Sequence, residues 1–296
     1  MRQTTRLKQL IQADKLLVMP GIHDALSARI AAAEGFQALT LGGYAASGVL
    51  LGEPDSSQLS LRELADHYAR ACDSVELPIF ADGDTGFGNV TNVARTVREL
   101  ERAGVAGLFI EDQVFPKRCG HTPGKDVIPL EEMIGKLKSA LDSRGDPDLV
   151  IMGRTDALAV HGLDAAIERA QKFAEIGCDL VFVEAPATAD DMKRICSSVD
   201  APQLANIIEF GKTPTLDATE LEQLGYATAV WPVASVFALT KQMQSLYRTI
   251  AETGSTKSFT SEMVTFDDYM EVVGLPELRA REQSLLDFAK KNTKTD

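Results

Sequence analysis

Residues 106–125 read AGLFIEDQVFPKRCGHTPGK. The stretch opens on five small or apolar residues, 106–110, with the length and content of a buried strand. It then releases Glu111 and Asp112, turns through Pro116, and runs into Lys117, Arg118, Cys119, Gly120 and His121. A thiol between two cations and an imidazole is expected to have a lowered pKa and to serve in proton transfer. The adjacent acids suit a hard divalent cation, which prefers oxygen ligands. Gly120 and Gly124 supply the backbone freedom of a loop that closes over a ligand.

The same unit recurs along the chain. After an amphipathic helix over 4–13, apolar runs at 16–20, 38–42, 77–81, 106–110, 149–153, 180–183, 203–205 and 227–231 resemble buried strands. Between and after them, helical patterns cover 24–34, 61–73, 90–103, 130–143, 163–176, 189–198, 217–224 and 234–252. Eight strand–helix units without a break in composition predict an α/β fold of the (β/α)8 TIM-barrel type, one domain over 1–296. A doubly wound open sheet is the alternative, but it calls for a glycine-rich phosphate turn that the glycines here do not match. Beyond residue 252 the pattern changes. Residues 253–260 are polar and turn-rich, and 263–291 read as two helices separated by Gly274 and Pro276. A barrel does not need this C-terminal extension, 260–296, so it is expected to pack on a neighbouring subunit or on the barrel floor.

Composition narrows the function classes. A net charge of −13 argues against nucleic acid or an anionic membrane as a partner. No apolar run approaches the roughly 20 residues that span a bilayer. The first residues, MRQTTRLKQLIQADK, hold no secretory hydrophobic segment. Cys72, Cys119, Cys178 and Cys196 show neither CxxC spacing nor a secreted disulfide framework, so a reduced, cytoplasmic setting is expected.

Distinctive polar residues fall at the predicted carboxyl ends of the strands, which in a barrel form the catalytic face. Strand three ends in Asp82 and Asp84, strand four in Glu111 and Asp112, strand five in Arg154 and Asp156, strand six in Glu184 and strand seven in Asn206. The loop after strand two carries Gly42, Gly43, Tyr44, Ser47 and, further on, Asp55. Four carboxylates, Asp55, Asp82, Asp84 and Glu111, cannot share one mouth without a cation or protons. Magnesium, with manganese as a substitute, is the expected partner. Asp112 and Asp156 are assigned instead to capping the following helices. Arg154 offers a planar fork for a carboxylate, or an internal ion pair with Glu184 or another acid. His121 is expected to be a hydrogen-bonding partner, and His23, His67 and His161 to be structural or solvated. Cys72, Cys178 and Cys196 are read as inert thiols.

The motifs DGDTGFGN (82–89), IEDQVFPKRCGH (110–121), GRTDA (153–157), VEAP (183–186) and LANIIEFGKTP (204–214) resemble the isocitrate lyase/phosphoenolpyruvate mutase superfamily along nearly the whole chain. KRCGH is similar to its short carbon–carbon lyase branch, whereas the mutase branch lacks the thiol. The resemblance implies Asp82 as direct magnesium ligand, with Asp84, Glu111 and Asp55 holding its waters. It implies Cys119 as catalytic acid on a mobile loop, with Lys117, His121, Arg154 and Glu184 in the catalytic set. Gly43, Tyr44, Gly120, Asn206 and Arg154 would bind substrate. It also implies a homotetramer, a dimer of dimers whose C-terminal helices are exchanged. Three departures leave the substrate open: Gly42 stands where many relatives place serine, Gly83 where alanine is common, and the tail MVTFDDYMEVVGLPEL (263–278) is similar to the dimethylmalate group, whereas IMGRTDALAVHGLDAAIERA (151–170) resembles the methylisocitrate group.

The expected activity is a magnesium-dependent retro-aldol cleavage of a 2-hydroxy di- or tricarboxylate, of 2-methylisocitrate or 2,3-dimethylmalate type. It would release a 2-oxo acid such as pyruvate and a carboxylate protonated by Cys119. The base is open between Tyr44 and a water at the metal. Rival expectations are hydrolysis or decarboxylation of oxaloacetate, phosphorus–carbon bond chemistry, and a non-catalytic barrel that binds dicarboxylates.

Overall fold

The computed structural model describes residues 1–293, so the last three residues of the 260–296 extension lie outside the described residues. Eight strands follow in order: β1 Leu17–Ile22, β2 Leu39–Leu41, β3 Ile79–Asp82, β4 Gly107–Glu111, β5 Val150–Thr155, β6 Leu180–Val183, β7 Leu204–Asn206 and β8 Thr228–Trp231. They form one all-parallel sheet in the order β6-β5-β4-β3-β2-β1-β8-β7. A single parallel bridge between Val181 and Gln203 brings its two ends together into a barrel. The strands are short apolar runs buried on both faces, the pattern that a parallel sheet covered by helices requires.

The helices are α1 Gln3–Ile11, α2 Ala25–Ala33, α3 Gly43–Leu51, α4 Leu61–Ser74, α5 Val90–Arg102, α6 Leu130–Ser143, α7 Leu158–His161, α8 Leu163–Glu175, α9 Ala189–Ser198, α10 Ala218–Leu224, α11 Ala234–Thr253, α12 Phe266–Val272 and α13 Leu275–Thr293. Several begin on a side-chain cap supplied by the loop that follows a strand. Asp24, Asn89 and Asp217 each accept from the amide three residues on, with the reciprocal bond returned. Leu7 and Ile11 of α1 pack with Leu17, Ala38, Ala106, Val150 and Leu180, which places α1 across the amino-terminal end of the strands. The opposite end is left open for the polar residues.

Two expectations need correction. Residues 43–51 are a helix rather than a loop, started by the extended Gly42 and stopped by the left-handed Gly52. Pro276 lies in the first turn of α13, where its missing N–H costs nothing, so the two tail helices are separated by Val273 and Gly274. The chain divides into two compact units, residues 1–238 and 239–296. Among the described residues no helix is long and apolar enough to cross a membrane.

Candidate active site

The carboxyl ends of β3, β4 and β5 and the loop after β4 build a single charged cluster around a buried ammonium. Lys117 Nζ lies 3.2 Å from Asp82 Oδ2, 3.4 Å from Asp55 Oδ2, 3.6 Å from Asp84 Oδ2 and 3.9 Å from Glu111 Oε2. Its side chain is 3% exposed, and its pKa is held well above the usual value because the four carboxylates outweigh its desolvation. The expectation that Lys117 flanks the thiol is therefore corrected: it points into the acids. Arg118 does not flank the thiol as a buried cation either, because its side chain is exposed and reaches toward the Pro123 carbonyl.

Each acid is held differently. Burial would raise Asp82, but Lys117 and the backbone N–H groups of Asp84 and Gly43, at 2.7 and 2.9 Å, keep it below the ordinary carboxylate range. Any side chain at Gly43 would press on that carboxylate, since a Cβ would meet Asp82 Oδ2 at 2.9 Å. Asp84 sits at φ 53°, a left-handed conformation that costs a non-glycine residue energy and recurs at functional sites. Asp55 is pushed up by burial. Glu111, 0% exposed, is pushed well up by burial, and neither of its oxygens has a hydrogen-bond partner.

Arg154 stands in register with Glu111 across β4 and β5 and closes the cluster on its other side. Its Nη1 is 3.3 Å from Glu111, its Nη2 2.9 Å from Glu184, and its Nε donates to Asp156 at 2.9 Å. The guanidinium also lies over the rings of Phe109 and Phe182, 5.6 and 5.2 Å from their centroids. Glu184, opposed by burial but lowered by Arg154 and His121, accepts from Asn206 Nδ2 at 3.3 Å. His121 Nδ1 accepts from the Lys212 amide at 3.0 Å, which leaves the proton on Nε2, 3.1 Å from Glu184 Oε1 but off a good hydrogen-bonding line.

Cys119 lines a cavity of about 80 Å³ together with Asp55, Asp82, Lys117, Arg154 and Glu184, above a floor of Phe80, Met152 and Leu204. Its thiol pKa is raised, not lowered as the flanking residues suggested. Burial is the largest cause and Glu184 adds to it, against the His121 amide and Arg154. The thiol is consequently held as an acid through neutral pH. Gly120 is placed directly on the Arg154–Glu184 pair, where a Cβ would come within 2.6 Å of Arg154 Nη2. Tyr44 is on the cavity wall, and burial, Cys119 and Asp55 raise its pKa, which counts against it as the base.

Asp112 and Asp156 cap nothing. Asp112 accepts from Thr155 Oγ1 at 2.6 Å, the Asp156 amide at 2.9 Å and Arg169 Nη1 at 3.0 Å. Asp156, lowered by Arg154 and Lys125 against its burial, binds both cations. Sequence reading misassigned Asp156 and missed Lys125, Ser57 (whose hydroxyl approaches Asp84 and accepts from the Lys117 amide) and the two phenylalanines around Arg154. A signal existed only for Asp156, two positions beyond Arg154 and so on the same side of the strand. His23 and His67 are structural, bonded to Ser235 and to the His23 carbonyl. Cys72, Cys178 and Cys196 are pushed up to about 12 by burial.

A divalent cation is a chemical fit for this cluster. Four hard oxygen donors face one cationic point, and Glu111 presents two oxygens without hydrogen bonds. Among the described residues no three metal-ligating side chains are already drawn in to a common point, because Lys117 stands at the centre. Asp82, Asp84, Glu111 and Asp55 are the groups that would hold it.

The phosphoenolpyruvate phosphomutase family matches residues 7–251. The chain is 40% identical to 2,3-dimethylmalate lyase of Eubacterium barkeri over 96% of its length and 98% of that protein's. It is 39% identical to 2-methylisocitrate lyase of Aeropyrum pernix, over 93% and 89% of the two chains. The solved oxaloacetate acetylhydrolase bound to 3,3-difluorooxalacetate superposes with a TM-score of 0.90 at 28% identity, over 96% and 97% of the two chains. With the barrel and the acid cluster in place, these likenesses show that the chain belongs to the PEP mutase/isocitrate lyase superfamily.

Proposed function

We propose that this chain is a magnesium-dependent carbon–carbon lyase that cleaves a 2-hydroxy di- or tricarboxylate of the 2-methylisocitrate or 2,3-dimethylmalate type, with Cys119 as the proton donor. The observation that carries this reading is a thiol kept protonated by burial, on the same small cavity as a carboxylate cluster and a buried arginine. A bound divalent cation would supply polarisation of a substrate oxygen, which eases loss of the hydroxyl proton.

The chain's own residues do the rest. Arg154, held by two rings and three carboxylates, offers a substrate carboxylate its Nη1, which makes no hydrogen bond to Glu111 at 3.3 Å. The substrate hydroxyl loses its proton, and the O–H pair becomes the second bond of the new 2-oxo group. The carbon–carbon pair moves onto the departing carbon, where the adjacent carboxylate spreads it. Cys119 gives its S–H proton to that carbon, and the proton released by the hydroxyl restores the thiol. Burial raises the Tyr44 pKa and makes its phenol a poor base, which favours a water in that role. Phe109, Phe182 and Gly120 line the same cavity, whose fixed surround would stabilise the charge that develops on cleavage.

Hydrolysis of oxaloacetate is the second reading, favoured by the likeness to the solved acetylhydrolase. Exposed Leu278, Leu285, Leu286 and Phe288 on α13 support a homotetramer with exchanged C-terminal helices. Four cysteines, all free among the described residues, support a cytoplasmic setting. Turnover of a panel of 2-hydroxy acids and oxaloacetate, followed by release of 2-oxo acid or oxalate with magnesium or with excess chelator, tests the proposal. Full activity in excess chelator sinks the metal reading. Oxalate from oxaloacetate with no cleavage of any hydroxy acid selects the second reading.

A further inference from the structure

Cys119 belongs to the loop between β4 and α6, yet the structure ties it to the barrel at two flanking points. On one side, Gln113, buried at the end of β4, receives the Arg118 amide at 3.0 Å on Oε1 and donates from Nε2 to the Arg118 carbonyl at 2.8 Å. On the other side, Lys125 donates from Nζ to the Gly120 carbonyl and, at 2.9 Å, to Asp156 Oδ1. The Lys125 side chain is 3% exposed and Asp156 0%, so this is a buried contact inside a loop that is otherwise largely solvent-facing. Asp156 is itself anchored, because its amide donates to Asp112, which Thr155 and Arg169 hold in turn.

We infer that Lys125 is a positioning residue for the reaction: through Asp156 it fastens the Gly120 peptide over the Arg154–Glu184 pair and so sets where the Cys119 thiol points. The inference rests on the proposal that Cys119 is the acid. The close approach of Gly120 leaves no room for a loose fit, since even a methyl group there would collide with Glu184 Cγ at 2.5 Å. Without a cation at 125, the Gly120 carbonyl loses its donor, and residues 119–121 keep on that side only the ties of His121, to the Lys212 amide at 3.0 Å and beside Glu184 at 3.1 Å. Asp156 keeps Arg154 on both oxygens, at 2.9 and 3.3 Å, so it is not left as an unpaired buried charge. The same carboxylate therefore serves substrate-facing Arg154 and the loop, which joins placement of the acid to placement of the substrate site.

Lys125→Met keeps the length of the stem and removes the charge. Its first readout needs no catalysis: the rate at which iodoacetamide alkylates Cys119 in the unliganded protein, resolved by peptide mass spectrometry from the three other cysteines. The expected result is at least a tenfold faster alkylation, in a variant that keeps a cooperative melt although its melting temperature falls with the loss of a buried pair. The second readout is steady-state kinetics with whichever substrate the wild type turns over. There kcat is expected to fall at least thirtyfold with KM within threefold, because the loop acts on the proton donor more than on substrate affinity. Lys125→Gln, shorter and neutral, should behave alike. An unchanged alkylation rate in a folded variant overturns the inference, and so does failure of both variants to fold, which would make Lys125 a folding residue. A change in alkylation without any turnover by the wild type would leave the loop assignment standing and overturn the lyase reading instead.

Discussion

Replacing Lys117 by methionine removes the ammonium at the centre of Asp55, Asp82, Asp84 and Glu111 while nearly keeping its volume. At the 3.2 Å separation from Asp82, one such pair is worth about 5 kcal/mol in an effective dielectric of about 20. The four pairs do not simply sum, because desolvation of the ammonium and repulsion among the acids oppose them. Removing one partner of a buried pair costs about 3–5 kcal/mol net, and that is the expected loss at pH 7 in chelator. For a chain of this size each kcal/mol lowers the melting temperature by roughly 2–4 °C, so a fall of about 10 °C is expected. The sign of the pH dependence follows from Asp55 and Glu111, whose pKa values burial already raises and which lose their cation in the variant. The folded variant then binds more protons than the unfolded chain, so its deficit shrinks as pH falls toward about 5 and grows as pH rises. Magnesium at a hundredfold its dissociation constant should return about 2.7 kcal/mol. Thermal melts at pH 5, 7 and 8, each with chelator and with magnesium, read all of this. A variant that melts within 2 °C of wild type at pH 7 in chelator would refute the electrostatic reasoning, and no response to magnesium would refute the metal assignment.

Cys119→Ser should keep substrate binding and lose roughly 10²–10⁴-fold in turnover, the usual cost of losing a general acid; near-wild-type turnover would mean that the thiol is not the acid. Because burial raises the thiol pKa from its ordinary 9.0, kcat should hold level through neutral pH and fall only on the alkaline side as the donor deprotonates. An alkaline limb centred between pH 7 and 8 would contradict a raised thiol. Glu184→Gln should lower the rate with little change in stability, whereas Glu184→Ala, which strips a carboxylate from buried Arg154, should also cost about 3–5 kcal/mol in a denaturant melt. Full activity of Glu184→Gln would remove Glu184 from the site.

Much of the site was legible because the fold converts a one-dimensional pattern into a place. Any side chain at the carboxyl end of a barrel strand faces the same mouth, so Asp82, Glu111, Arg154, Glu184 and Asn206 could be gathered before their distances were known. The short helix over 43–51 was not legible, since GYAASGVLL has two glycines and no polar face to set against an apolar one. Asp112 and Asp156 were misassigned because an acid after a strand looks the same whether it caps the next helix or meets Arg169 and Lys125. Those partners lie 57 and 31 positions away in the chain.

By itself, the sequence determined the strand–helix alternation, the acids and arginine at the strand ends, and the single loop cysteine among them. These depend on local periodicity and on residue type, which need no partner to be read. Only the tertiary structure decided the charge states. In a loop, consecutive side chains diverge, so Lys117 and Cys119, two residues apart, enter different surroundings: one a ring of carboxylates, the other a buried wall beside Glu184. A pKa follows from burial and from charges brought in from other strands. That is why neighbours in the chain suggested a lowered thiol and the folded cavity holds a raised one.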